Sequence, residues 1–180
     1  MNPGSGKNIL IVIPKNQFCE EELFGVRTAL DATGARTVVL SPNGREALGM
    51  KKTRFAPDGM LVDWNKQGGF SGKYDAVLVV GGRGSKKSLW DETILPQILT
   101  DHHRAGSIIG AIGSSVVVLA RASLLAGIAA APDDESVNHE LQIARVDRSD
   151  QDVIRSGKII TAHGAEAAEK FVHAVLDTLE

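Results

Sequence analysis

Five short runs rich in isoleucine and valine, separated by stretches of helical period, restrict this chain to an α/β fold built on a largely parallel sheet. The runs are Ile9 to Ile13, Thr37 to Leu40, Ala76 to Val80, Ile108 to Ile112 and Ile159 to Thr161. Each is continuously apolar and bounded by turn formers or charges, as a strand covered on both faces requires. Between them, Glu20 to Thr33 places Leu23, Val26, Arg27 and Leu30 at helical spacing and stops at Gly34, which supplies a left-handed terminus. Trp90 to Ala105, Val116 to Leu125 and Ala165 to Leu179 read as further helices, with Gly106, Gly127 and Gly164 at boundaries. Lys51 to Lys73 contains Pro57-Asp58-Gly59 and Gly68-Gly69, which predicts short strands or a hairpin followed by a loop. Pro132 to Gly157 is polar and weakly periodic and predicts a surface hairpin. With no internal repeat or linker, residues 1–180 are expected to form a single domain.

At 180 residues and 43% hydrophobic content, the chain can fill one core of ordinary size. A formal charge of -2, with Lys and Arg scattered along the sequence, argues against nucleic acid or an anionic membrane as partner. Small molecules or proteins are the expected partners. No apolar run reaches the roughly 18 residues that span a bilayer, and Met1 to Lys7 is too short and polar for a signal peptide, so a cytoplasmic location is expected. The lone cysteine, Cys19, excludes an internal disulfide and a cysteine-based metal framework.

Open sheets of this kind bind ligands outside the carboxyl ends of their strands. Four segments fall there: Pro14 to Leu23, Gly81-Gly82-Arg83-Gly84-Ser85, Gly113-Ser114-Ser115 and Ala162-His163-Gly164. The third is the most telling. Ser107 to Ser115 reads as a buried strand that enters a helix through a turn at Gly113. Such turns hold a nucleophile in a strained backbone conformation at the mouth of a sheet. Glycine adopts that conformation without strain, but has no side chain with which to attack.

Taken in order, these segments resemble the ThiJ/PfpI family, that of the Parkinson-disease protein DJ-one. The resemblance covers nearly the whole chain and rests on Glu22-Leu23, Val79-Val80-Gly81-Gly82-Arg83-Gly84, Leu89-Trp90-Asp91 and Ala111-Ile112-X-Ser-Ser followed by Val118-Leu119-Ala120-Arg121-Ala122. It implies a flavodoxin-like three-layer sandwich with a mainly parallel central sheet, class I glutamine amidotransferase-like, usually assembled as a homodimer. It also implies a nucleophilic cysteine at X, a glutamate near the first helix that contacts it, and backbone amides after the third strand that form an oxyanion pocket. Glu22 matches that glutamate, and Gly82 with Arg83 match the amides. Gly113 stands at the cysteine, Ser114 where peptidase-like members carry histidine, and Ala131 where some members carry another histidine. Cysteine-dependent hydrolysis or glyoxalase chemistry is therefore expected to be absent or very slow.

Other residues are candidates for the missing role. Ser114 and Ser115 lie past the elbow, where helix geometry turns their hydroxyls away, and helix capping is their expected use. Cys19 precedes Glu22 by three residues and shares a helix face with it, but the acidic run Glu20 to Glu22 raises a thiol by like charge. That run otherwise reads as a solvated, dipole-favourable helix start. His163 follows a strand end and is within reach of the same pocket as a proton carrier. His102, His103, His139 and His173 show no ligand spacing, so no metal is expected, and no cofactor. Trp90 reads as a core or interface anchor. With the nucleophile lost, amides from Gly82, Arg83 and Ser114 beside Gly113 suit a carboxylate or another polar metabolite. The expected function is thus non-catalytic small-molecule binding or a stress-related interaction. The alternatives are a cysteine-dependent enzyme inactivated at Gly113 or using Cys19, and, last, a flavodoxin-type electron carrier, whose phosphate loop Pro14 to Phe18 does not provide.

Overall fold

The computed structural model describes residues 2–68 and 72–179. In chain order the elements are β1 (Asn8–Val12), α1 (Glu20–Asp31), β2 (Arg36–Ser41), β3 (Ala47–Leu48), β4 (Arg54–Phe55), β5 (Gly59–Met60), β6 (Ala76–Val79), α2 (Gly84–Ser88), α3 (Leu95–Arg104), β7 (Ile108–Ile112), α4 (Val116–Arg121), β8 (Gly127–Ala130), α5 (Glu135–Ile143), β9 (Val146–Ser149), β10 (Val153–Ser156), β11 (Ile159–Ala162) and α6 (Ala168–Leu179). Seven strands form the main sheet in the order β10-β11-β7-β6-β1-β2-β5. All its pairings are parallel except β10 with β11. β3 and β4 make a separate antiparallel hairpin, and β8 and β9 a separate parallel pair.

Successive side chains of a strand point to opposite faces, and here both faces are covered. Leu10 and Val12 of β1 pack with Leu95, Ile98 and Leu99 of α3 and with Val116 to Leu119 of α4. Ile9 and Ile11 pack on the other side with Leu23, Val26 and Leu30 of α1 and with Phe171 and Val175 of α6. The result is a three-layer α/β sandwich. The five predicted strands match β1, β2, β6, β7 and β11 to within one residue at each end.

The helices depart further from expectation. The one expected from Trp90 begins at Leu95, because the Glu92 carboxylate accepts the Ile94 and Leu95 N–H groups at 2.7 and 2.6 Å and caps the helix there. α4 stops at Arg121 rather than Leu125, since Ser123 enters the left-handed region at φ 60° and the Leu124 N–H closes on the Leu119 carbonyl. The expected hairpin over Pro132 to Gly157 is instead α5 followed by β9 and β10. Asp134 caps α5 by accepting the Val137 N–H at 3.1 Å, and Val137 and Leu141, four residues apart, bury its inner face. Lys51 to Lys73 yields β4 and β5 as short strands. β4 pairs back onto β3, β5 extends the main sheet beside β2, and Gly69 of the expected loop lies outside the described residues.

Candidate functional site

The carboxyl ends of β1, β6, β7 and β11 converge where the four segments singled out from the sequence emerge. β7 runs extended to Ile112, and the chain then turns at Gly113, whose φ of 68° lies in the left-handed region, into a short 3-10 turn and α4. A Cβ placed on Gly113 would lie 2.5 Å from Oε2 and 2.9 Å from Oε1 of Glu22. Glu22 reaches this point from the first turn of α1, buried, with its Oε1 accepting the Gly81 N–H at 2.9 Å. Burial pushes its carboxyl up to about 7; the Gly81 N–H opposes the rise, while Glu166 and Glu21 add to it.

The turn after β6 is locked to the turn after β7 by serines. The Gly82 N–H donates to Ser114 Oγ at 3.3 Å, and the Ser114 hydroxyl donates back to the Gly82 carbonyl at 3.0 Å. Ser115 donates to the Val80 carbonyl at 2.8 Å, so the 2.7 Å contact between Ser85 and Ser115 is donated by Ser85. Neither serine caps the helix through its side chain, contrary to expectation. Their hydroxyls meet a loop distant in sequence and hold it in place. Trp90 is buried and donates its indole N–H to the Ser114 carbonyl at 3.1 Å, which fixes the elbow from the far side. The Arg83 N–H points at Met50 Sδ, 3.4 Å away.

A cavity of about 450 Å³ opens here, and Cys19, Glu22, Gly82, Arg83, Gly113, Ser114 and His163 all contribute to its wall. His163 sits half-buried just past β11, with Nδ1 3.0 Å from Glu166 and Nε2 3.9 Å from Asp150. Cys19 precedes α1 and is buried, its sulfur 3.9 Å from Glu21 Oε2. Burial first, and then the Glu22 carboxylate, push its thiol up to about 11. The acidic run is not the solvated helix start that the sequence suggested, since Glu20 and Glu22 are buried and only Glu21 is exposed. Glu20 faces away from the cavity and accepts the Lys51 and Thr53 N–H groups at 2.7 and 3.2 Å. Burial raises its carboxyl, but hydrogen bonds from backbone N–H groups outweigh this and hold it below the usual carboxylate range.

Sequence reasoning missed Met50, Lys86, Asp134, Ser136 and Glu166 in the same wall. Glu166, three residues beyond His163, was readable from that spacing; the Lys86 to Ser136 hydrogen bond of 2.9 Å joins α2 to α5, two helices the sequence did not reveal. Among the described residues no group of His, Cys, Asp and Glu is arranged to hold a metal ion, and no helix is long and apolar enough to cross a membrane.

Comparison with known proteins gives the arrangement a context. An uncharacterized protein of Methanocaldococcus jannaschii is 32% identical over 181 residues, covering 99% of this chain and 85% of that protein. A glutathione-independent glyoxalase of Caenorhabditis elegans, DJR-1.2, is 24% identical over 97% of this chain and 89% of that protein. The crystal structure of a ThiJ/PfpI domain protein from Brachyspira murdochii superposes with a TM-score of 0.85 at 26% identity, covering 98% of both chains. The model of the DJ-1/PfpI family matches residues 7–178, and the chain belongs to that family.

Proposed function

We propose that this protein is a DJ-1/PfpI-family member without the family's nucleophile, a cytoplasmic homodimer that binds a small carboxylic or similarly polar metabolite in the cavity at Gly113. The observation that carries the reading is the Glu22 carboxyl, whose Oε2 lies 2.5 Å from where a side chain at Gly113 would begin. With a carboxyl pushed up to about 7, a large share of Glu22 is protonated at neutral pH. Its Oε1 is held by the Gly81 N–H, so the proton belongs on Oε2, the oxygen that faces Gly113. In that state Glu22 donates a hydrogen bond to a ligand carboxylate that would repel its ionised form. Lys86 in the same wall adds a donor of matching sign.

The competing reading is a cysteine-dependent enzyme, favoured by the glyoxalase among the relatives. Cys19 is the thiol available to it, and a thiol pushed up to about 11 holds very little thiolate at neutral pH. One experiment separates the two. Purified protein is expected to convert no methylglyoxal to lactate, and Gly113→Cys, once shown to fold, is expected to gain that activity. Activity in the unsubstituted protein that disappears in Cys19→Ser would overturn the proposal. A melting-temperature screen against small carboxylic acids completes the test: at least one acid is expected to stabilise the protein at pH 6 more than at pH 8.5, and no shift with any acid would refute binding.

A further inference from the structure

A second cleft, of about 660 Å³, lies beside the Gly113 cavity, and Met50 and Arg83 belong to the walls of both. Its charge sets it apart. Lys15, Lys52, Arg83 and Lys87 line it, and among the described residues its wall contains no Asp or Glu. The whole chain carries a formal charge of -2, so this grouping of cations runs against the overall balance. None of the four side chains makes an ion pair or a hydrogen bond within the described residues. Of the carboxylates nearby in sequence, Glu46 is exposed and does not line the cleft, and four others are engaged elsewhere. Glu20 holds the Lys51 and Thr53 N–H groups, Glu21 pairs with Lys51, Asp91 pairs with Arg121, and Glu92 caps α3.

The backbone around these free cations is fixed. The Gln17 N–H donates to the Leu48 carbonyl at 2.7 Å, the Leu48 N–H to Asn16 Oδ1 at 2.9 Å, the Gly84 N–H to the Gln17 carbonyl at 3.1 Å, and the Lys15 N–H to Ser88 Oγ at 3.0 Å. The turn that carries Lys52 closes through the Gly49 N–H to Thr53 carbonyl bond of 2.8 Å and is tied to Glu20 beneath it. Gln17 and Lys52 sit in the left-handed region, at φ 55° and 68°, conformations that non-glycine residues hold only when their surroundings impose them. A fixed backbone frame with unpaired charged ends needs little reorganisation to close on an anion.

We propose that this cleft binds a phosphorylated small molecule through a pyrophosphate or a pair of phosphate groups, with Lys15, Lys52, Arg83 and Lys87 as its ligands. Four cations suit a group of three or four negative charges, whereas a single carboxylate would leave most of them uncompensated. The cleft has the size of a nucleotide-scale ligand site. The inference is independent of the reading of Gly113.

Inorganic pyrophosphate, titrated calorimetrically into the full chain at low salt, is the test. One pyrophosphate is expected to bind per chain, with affinity falling as salt rises. The exposed pair Lys52→Gln and Lys87→Gln, made together, is expected to weaken binding at least about tenfold at unchanged melting temperature. If that variant does not fold, Lys15→Gln with Lys87→Gln serves in its place. Lys7→Gln with Lys158→Gln, outside this cleft, is expected to bind as the unsubstituted protein does. Absence of pyrophosphate binding, equal loss in the two lysine pairs, or binding of a single-stranded oligonucleotide without pyrophosphate competition would overturn the proposal. Pyrophosphate binding without any response to small acids would leave this site standing and remove the one at Gly113; the reverse result would do the opposite.

Discussion

At the scale of single residues, Gly113 and Glu22 are best understood as one unit. The glycine supplies a backbone at φ 68° that other residues hold only under strain, and the carboxyl fills the space that a side chain there would enter. Gly113→Ala therefore meets two penalties, one in the backbone and one against Glu22, and the variant is expected to be about 1 to 3 kcal/mol less stable in urea denaturation. The second penalty falls on the end of a flexible side chain and can be removed. In a Glu22→Ala background the same substitution is expected to cost only about 1 kcal/mol, the backbone share. A double-mutant cycle reads this difference directly; equal costs in both backgrounds would mean that the carboxyl does not occupy that space in solution. The presence of glycine at 113 was legible in the sequence. Its contact with Glu22 was legible only through a family resemblance, because it joins two segments far apart in the chain and no local pattern encodes it.

At the scale of elements, the strands were legible and the short helices were not. Strands buried on both faces announce themselves by continuous apolar runs, so β1, β2, β6, β7 and β11 followed from Ile and Val content alone. α2 has no such pattern, since Gly84 to Ser88 holds no apolar residue and is positioned by packing against the loop after β1. Its first residue shows how tightly. A Cβ on Gly84 would overlap the Asn16 carbonyl oxygen, and that carbonyl cannot retreat because the Gly84 and Gln17 N–H groups fix the loop on either side. Gly84→Ala is thus expected to cost about 3 kcal/mol or more, and to disturb both cavities through Arg83. Gly157, in the turn between β10 and β11, is the contrast, with φ 61° and, among the described residues, nothing within 4 Å of an added Cβ. There alanine is expected to cost only about 1 kcal/mol, a backbone effect. Comparable losses for the two variants would mean that the loop after β1 yields more easily than its hydrogen bonds imply. The same dependence on packing explains why the sequence over α5 suggests a hairpin, since a nine-residue helix with two buried apolar side chains leaves little periodicity to detect.

At the scale of the whole molecule, two buried groups on opposite sides of the fold set opposite slopes on stability against pH. His102 of α3 is fully buried, donating from Nδ1 to the Ile98 carbonyl at 2.7 Å while its Nε2 accepts the Tyr74 N–H at 3.2 Å, a pairing that only the neutral ring satisfies. Burial holds its titration below the ordinary 6.5, so its contribution is complete above that pH and is lost as pH falls toward the folded-state value. Glu22 acts in the other sense. Its carboxyl titrates near 7 in the folded protein against 4.5 as reference, so the neutral form folds better, and stability is lost as pH rises from 4.5 through 7. The carboxylates held below their ordinary range, Glu20, Glu140, Asp150 and Asp152, contribute at lower pH. Just below pH 6.5 the two slopes oppose each other, and above 6.5 the loss from Glu22 continues after the His102 contribution is complete. Glu22→Gln keeps an oxygen for the Gly81 N–H but cannot ionise, and is expected to be more stable than the unsubstituted protein by on the order of 2 to 3 kcal/mol at pH 8 and equal to it near pH 4. Urea midpoints measured at half-unit steps should then reveal the slope of His102 unopposed, with stability rising as pH approaches 6.5 from below in the variant. A variant whose profile parallels that of the unsubstituted protein across the whole range would show that Glu22 is ionised in the folded state at neutral pH, and with it would fall the protonated carboxyl on which binding at Gly113 depends.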